Sequence, residues 1–122
     1  MSERKSVLIV DDSRVSRMMI RAIVTDVHPN WQVSEAASGE DVLSESSDSG
    51  YDLIISDYNM PGMDGVTLGR KLGEVYPGAA IFLLTANIQE SVQLKAEQSG
   101  LHFVKKPITE DRIKGILSSL EG

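Results

Sequence analysis

The stretch Val7-Leu8-Ile9-Val10-Asp11-Asp12-Ser13 decides the reading of the fold. An aliphatic run with no polar alternation suits a strand buried on both faces of a sheet. It then breaks into two acids and a serine, and Ser is a favoured residue for opening a helix. Further apolar runs end in a similar way. Leu53-Ile54-Ile55-Ser56 ends in Asp57, Ala80-Ile81-Phe82-Leu83-Leu84 in Thr85, and Phe103-Val104 passes through Lys105 into Lys106-Pro107. If these runs are parallel neighbours, their C-terminal ends share one edge. Carboxylates, a hydroxyl and an ammonium then meet in one crevice. Carboxylate oxygens suit a hard divalent cation; an ammonium and a hydroxyl suit a phosphate.

Between the runs the pattern is helical, and this alternation implies βαβ units and a parallel sheet. Ser13 caps a first helix, with Val15, Met18, Met19, Ala22 and Ile23 at helical spacing and Pro29 marking its end. A second strand covers Trp31 to Ala36. A short helix follows Ser38-Gly39, with Val42 and Leu43 on its apolar side. Asn59-Met60-Pro61-Gly62-Met63-Asp64-Gly65 is a loop by its Pro and Gly content. Val66, Leu68, Leu72 and Val75 mark a third helix, weakened by Gly69 and Gly73 and ended by Pro77-Gly78. A fourth helix runs from Ile88 to Gln98 and stops at Ser99-Gly100. The last begins near Thr109 and carries Ile113, Ile116, Leu117 and Leu120.

The 122 residues fit one domain spanning 1–122, with no linker, repeat or low-complexity tract. The absence of cysteine rules out disulfides and thiolate metal sites. A formal charge of −6 argues against non-specific nucleic-acid binding. The N-terminal apolar run is too short for a secretory signal, and no stretch approaches membrane-spanning length. The expectation is a cytoplasmic domain that binds neither nucleic acid nor membrane.

In an open α/β sheet, ligands sit at the strand C-termini where the winding direction switches. The first and third strands flank that switch, so Asp11, Asp12 and Asp57 share a site. Clustered carboxylates repel, and a cation relieves them. Mg²⁺ fits best, because it takes oxygen ligands and works alongside phosphate. The backbone carbonyl of Asn59, two residues after Asp57, is a further oxygen for its shell. A carboxylate is also a competent nucleophile towards phosphorus. With Asp57 as acceptor, Mg²⁺ and Lys106 neutralise the transferring phosphoryl oxygens. Thr85 donates its hydroxyl to that group, and Phe103 fills the space behind Thr85 when it turns inward.

These residues, in order and at this spacing, resemble the receiver domain of two-component response regulators, most of all the single-domain, chemotaxis-type (CheY-like) members. The resemblance runs from Val7-Leu8-Ile9-Val10-Asp11-Asp12-Ser13 through the segment Ser56 to Gly65, Leu84-Thr85-Ala86 and Phe103-Val104-Lys105-Lys106-Pro107 to the final helix. It implies a doubly wound, flavodoxin-like parallel sheet of five strands in the order 2-1-3-4-5 with five flanking helices. It implies that Asp57 takes a phosphoryl group from a sensor histidine kinase or phosphotransfer protein. Asp12, Asp57 and the Asn59 carbonyl become direct Mg²⁺ ligands, with Asp11 acting largely through water. Thr85 and Phe103 become the switch pair and Lys106 the phosphoryl partner, next to a Lys106–Pro107 bond that is often cis in such proteins. Asn59 and Asn87 fall at positions that tune loss of the phosphoryl group. A downstream protein target docks on the face of the fourth helix, fifth strand and fifth helix, where Glu90, Gln93, Lys95, Glu97 and Gln98 are candidates. The resemblance implies a monomer or a weak phosphorylation-dependent dimer, not an enzyme acting on a separate substrate. The switch aromatic is Phe where chemotaxis members usually carry Tyr, and Lys105 sets a second lysine beside Lys106.

Taken singly, each residue has an ordinary reading. Asp11-Asp12-Ser13 caps a helix, Asp57 opens a turn, Thr85 is a β-former, Lys106 is solvated, and His28 and His102 are surface histidines. The functional reading is preferred because all of the ordinary ones would have to hold together. A haloacid-dehalogenase-like phosphohydrolase wants an acid two residues after the nucleophile, where this chain has Asn59. A flavodoxin-like cofactor carrier needs a phosphate-holding loop after the first strand, where Asp11 and Asp12 repel one.

Overall fold

A computed structural model describes residues 5–44, 50–58, 65–86 and 89–121. The described elements alternate strictly: β1 (Ser6–Val10), α1 (Arg14–Val27), β2 (Gln32–Ala36), α2 (Gly39–Ser44), β3 (Leu53–Asp57), α3 (Gly65–Val75), β4 (Ala80–Thr85), α4 (Glu90–Gln98), β5 (Leu101–Lys105) and α5 (Glu110–Glu121). The strands form one parallel sheet in the order β2-β1-β3-β4-β5, with Val7 beside both Val33 and Leu53, Leu53 beside Ala80, and Ile81 beside Leu101. Fold class and strand order are those the sequence implied.

The apolar runs divide by strand alternation between two cores. Val7, Ile9, Leu53, Ile55 and Leu84 pack with Ile20 and Val24 of α1 and with Ile113, Ile116 and Leu117 of α5. On the other face, Leu8, Val10, Ile54, Ile81, Leu83 and Leu101 pack with Val42 of α2, Leu68 and Leu72 of α3 and Ala96 of α4. The chain leaves β1 towards β2 over one face and returns to β3 over the other. β1 and β3 are therefore neighbours whose exit loops diverge, which opens the crevice at the carboxyl edge.

Four local expectations are corrected. On α1, Val15, Met18 and Met19 are 67%, 57% and 45% exposed, and Ala22 is exposed too. The buried stripe is Ile20 and Val24, with Ile23 and Val27 partly covered. The segment carries two apolar stripes at helical spacing, and the approach of α5 selects one. On α3, Val75 is exposed and Tyr76 takes the inner position. Trp31 precedes β2, buried and stacked on His28 with ring centroids 3.8 Å apart, so His28 is half-buried packing. Gly69 faces Leu101 closely: a Cβ there would lie 3.0 Å from a leucine methyl, which would have to give by a few tenths of an ångström.

The packed stripe of α1 is directly testable. Ile20→Ala should cost about 3 kcal/mol of unfolding free energy, whereas Met18→Ala should stay within roughly 0.5 kcal/mol of the native value in urea titrations.

Candidate functional site

The main-chain ladder runs one step beyond the strands at the carboxyl edge. The Asp11 amide donates to the Ala36 carbonyl at 3.1 Å, Tyr58 to Leu84 at 2.8 Å and Lys106 to Thr85 at 2.9 Å. The first residues of the loops are thus as firmly placed as the strands. This edge gathers Asp11 from the end of β1, Asp12 behind it, Asp57 from β3, Thr85 from β4 and Lys106 from just past β5.

Asp11, Asp57 and Thr85 are only 2%, 4% and 1% exposed, in a sheet whose other buried residues are almost all apolar. Asp12 is exposed. One carboxylate oxygen from each of Asp11, Asp12 and Asp57 lies within 4.8 Å of the others. The ammonium of Lys106 meets Asp57 Oδ1 at 2.8 Å. Asp11 Oδ1 accepts the Ser13 amide at 2.8 Å, while Asp11 Oδ2 is buried without a hydrogen-bond partner. Burial pushes the Asp11 carboxyl above its usual range, opposed by the Ser13 amide; Asp57 and Asp12 push it up further and Lys106 pulls it down.

This donor set fits a hard divalent cation. It offers oxygens only, the carboxylates converge, and one buried oxygen has spare capacity of the kind a metal ion takes up. Asp11, Asp12 and Asp57 would hold the ion. Asn59 and Asn87, expected to flank the acceptor, lie outside the described residues.

Thr85 and Phe103 lie on one face of the sheet, because Leu83 pairs with Phe103 and Thr85 with Lys105 in register. Phe103 is half-buried against the α2–α4 core. Its ring meets Tyr58 edge-on, with centroids 6.1 Å apart. Lys105 is exposed, and Lys106 is the lysine in the crevice. The Lys106–Pro107 bond is cis. On α4, Glu90, Lys95, Glu97 and Gln98 are exposed and Gln93 is half-buried.

Two residues at the site were not picked out by sequence. Arg17 donates from Nη1 to the Asp11 carbonyl at 2.6 Å; a basic residue one turn past the Ser13 cap was the available signal. Tyr58 packs on Phe103, and its place directly after Asp57 was the signal there. A separate groove of about 440 Å³, lined by Gly69, Gly73 and Leu101 among others, opens at the far end of the sheet and takes no part in this chemistry.

Residues 7–118 match the sequence pattern of the response regulator receiver domain, and the chain belongs to that family. It is 34% identical over 109 residues to the chemotaxis protein CheY of Bacillus subtilis (strain 168), covering 88% of this chain and 89% of that one. It is 38% identical over 119 residues to the sensor protein EvgS of Escherichia coli (strain K12), covering 97% of this chain. The chain spans only 10% of the length of EvgS. Among solved structures, the chemotaxis protein CheY4 of Vibrio cholerae superposes with a TM-score of 0.83 at 27% identity, covering 96% of this chain and 98% of that one. The chain is therefore a CheY-like response regulator receiver domain of two-component signalling. Such domains engage histidine kinases or phosphotransfer proteins and downstream targets, and generally bind Mg²⁺ at an acidic pocket.

The raised Asp11 carboxyl sets a sign. Its folded form keeps a proton to higher pH than the unfolded chain does. Its contribution to metal-free stability is therefore most favourable at low pH and is lost as the pH rises through the folded value. At neutral pH, Asp11→Asn relieves that burial and repulsion while keeping an oxygen for the Ser13 amide. It should raise the metal-free melting temperature by about 3 °C, and added Mg²⁺ should stabilise the native chain more than the variant in the same scanning calorimetry.

Proposed function

We propose that Asp57 accepts a phosphoryl group from a phosphohistidine of a sensor kinase or phosphotransfer protein, and that the change is read out at the α4–β5–α5 face. One observation carries this reading: a nearly buried Asp57 carboxylate sits 2.8 Å from the Lys106 ammonium and within 4.8 Å of two further carboxylates. A lone acceptor carboxylate needs neither neighbour. A phosphoryl group arriving on it needs positive charge on both sides.

In the step itself, a carboxylate oxygen of Asp57 attacks phosphorus as the P–N bond to the donor imidazole breaks. The imidazole leaves as the neutral ring once protonated, and the product is an acyl phosphate. Mg²⁺ bound at the site supplies charge neutralisation for the phosphoryl oxygens. Asp11 and Asp12, with Asp57 and the Asn59 carbonyl, are its holders. Lys106 follows the new oxygens, because its ammonium already touches the acceptor. Thr85, at the end of the adjacent strand, donates its hydroxyl to the phosphoryl group. Phe103 shares the face of Thr85, so a shift of that hydroxyl changes what the ring packs against. Asn59 and Asn87 tune how fast water removes the group. The switch biases an equilibrium of two arrangements. The chain works as a monomer or a weak phosphorylation-dependent dimer.

Charge counting supports both cationic partners. Three carboxylates are balanced by a doubly charged ion and one ammonium. The phosphorylated site, with two carboxylates and a dianionic phosphoryl group, keeps a single excess negative charge.

Incubation with acetyl phosphate and MgCl₂ should add one acid-stable, hydroxylamine-labile phosphoryl group, seen by intact-protein mass spectrometry. The adduct should vanish in Asp57→Ala and with EDTA. An adduct that persists in Asp57→Ala, or none on the native chain, overturns the assignment. Lys106→Met should retain the adduct but form it on the order of a hundredfold more slowly, as expected for loss of one charge-stabilising donor.

A further inference from the structure

We propose that Arg17 is a positioning residue for the metal site, holding the peptide that joins Asp11 to Asp12. This rests on the reading of Asp11, Asp12 and Asp57 as the Mg²⁺ site. Arg17 lies one turn into α1, with its side chain 15% exposed. Its Nη1 donates to the Asp11 carbonyl at 2.6 Å, and its Nε meets Glu35 Oε1 of β2 at 3.1 Å. Arg21, one turn further on, takes the other oxygen, Glu35 Oε2, at 2.6 Å. The guanidinium fork thus bridges β2 and the first residue past β1.

Asp11 is held in three directions. Its amide is bonded to Ala36, its side chain to the Ser13 amide and its carbonyl to Arg17. The carbonyl is the contact that matters for Asp12. Rotation of the Asp11–Asp12 peptide plane moves the Cα of Asp12, and Asp12 is exposed where Asp11 is buried. Burial and the Ser13 amide orient the Asp11 carboxylate, whereas Asp12 takes its position from the peptide plane that Arg17 fixes. The guanidinium charge is matched by Glu35, whose carboxyl is held below its usual range first by Arg21 and then by Arg17. The effect on the site is therefore geometric, and the arginine does not stand in for the cation. A lysine cannot do the same, because one ammonium lacks the planar fork that reaches an acid and a carbonyl together.

Calorimetric titration with MgCl₂, with no phosphodonor present, tests this. Arg17→Ala should bind Mg²⁺ about tenfold more weakly than the native chain, the scale of losing a group that orients a metal ligand. Arg17→Lys should recover little of the loss. Arg21→Ala breaks the same Glu35 network without touching the Asp11 carbonyl, and should leave Mg²⁺ affinity unchanged even where it lowers the melting temperature. With acetyl phosphate, the Mg²⁺ concentration for half-maximal acceptance should rise in Arg17→Ala while the rate at saturating Mg²⁺ stays close to native. Native affinity in both Arg17 variants, or an equal loss in Arg21→Ala, overturns the proposal. A native chain that binds no Mg²⁺, or binding that survives Asp57→Asn with Asp11→Asn, overturns the metal-site reading instead.

Discussion

The mutual repulsion of Asp11, Asp12 and Asp57 is the constraint on which the rest of the structure depends. Like charges held within 4.8 Å, two of them nearly buried, oppose folding unless something fixes them in place. The fixing is done by backbone. Parallel registry of β1 with β3 sets the spacing between the two acid-bearing ends, and the added ladder bonds past each strand keep the loops from relaxing outward. Those bonds are secured in turn by two apolar cores, one on each face of the sheet. Burial energy spread over the domain thus sustains an unfavourable electrostatic arrangement at one edge. The result is a site that gains from a cation and from Lys106.

The same edge ties β4 to β5. Lys106, which touches the acceptor, is tied by its amide to the Thr85 carbonyl. The β4 and β5 exits therefore meet the acceptor as one unit. Phe103 sits on the face of Thr85 but is retained by apolar contact and by the edge-on ring of Tyr58. Such contacts are non-directional, unlike a hydrogen bond. A phenylalanine there also presents no hydroxyl.

The fold was legible because strand-length apolar runs alternating with helical stretches leave few ways to build a sheet, and because the polar residues fall at the run ends. Asp11, Asp12, Asp57, Thr85 and Lys106 come together because the chemistry sits on strand termini, where register alone determines neighbourhood. The failures have a common physical cause. Val15, Met18 and Met19 satisfied helical periodicity as well as Ile20 and Val24 do, and only the approach of α5 distinguishes the stripes. Arg17 and Tyr58 act through a main-chain carbonyl and a ring edge, contacts that residue type does not announce.

The two flanks of the site are built differently. On the metal side, α1 is capped by the Ser13 hydroxyl, buries Ile20 and Val24, and is bonded through Arg17 and Arg21 to β2. On the far side, α4 opens at Gln89 with no side-chain cap bond, and Ala96 is its one fully buried residue, while Leu94 stands 52% exposed. Local stability follows buried apolar contact and satisfied helix ends, so α4 is held far more loosely than α1. The flank that carries Asp11 and Asp12 is thus the better anchored of the two, and along α4 the least buried contact opposes displacement.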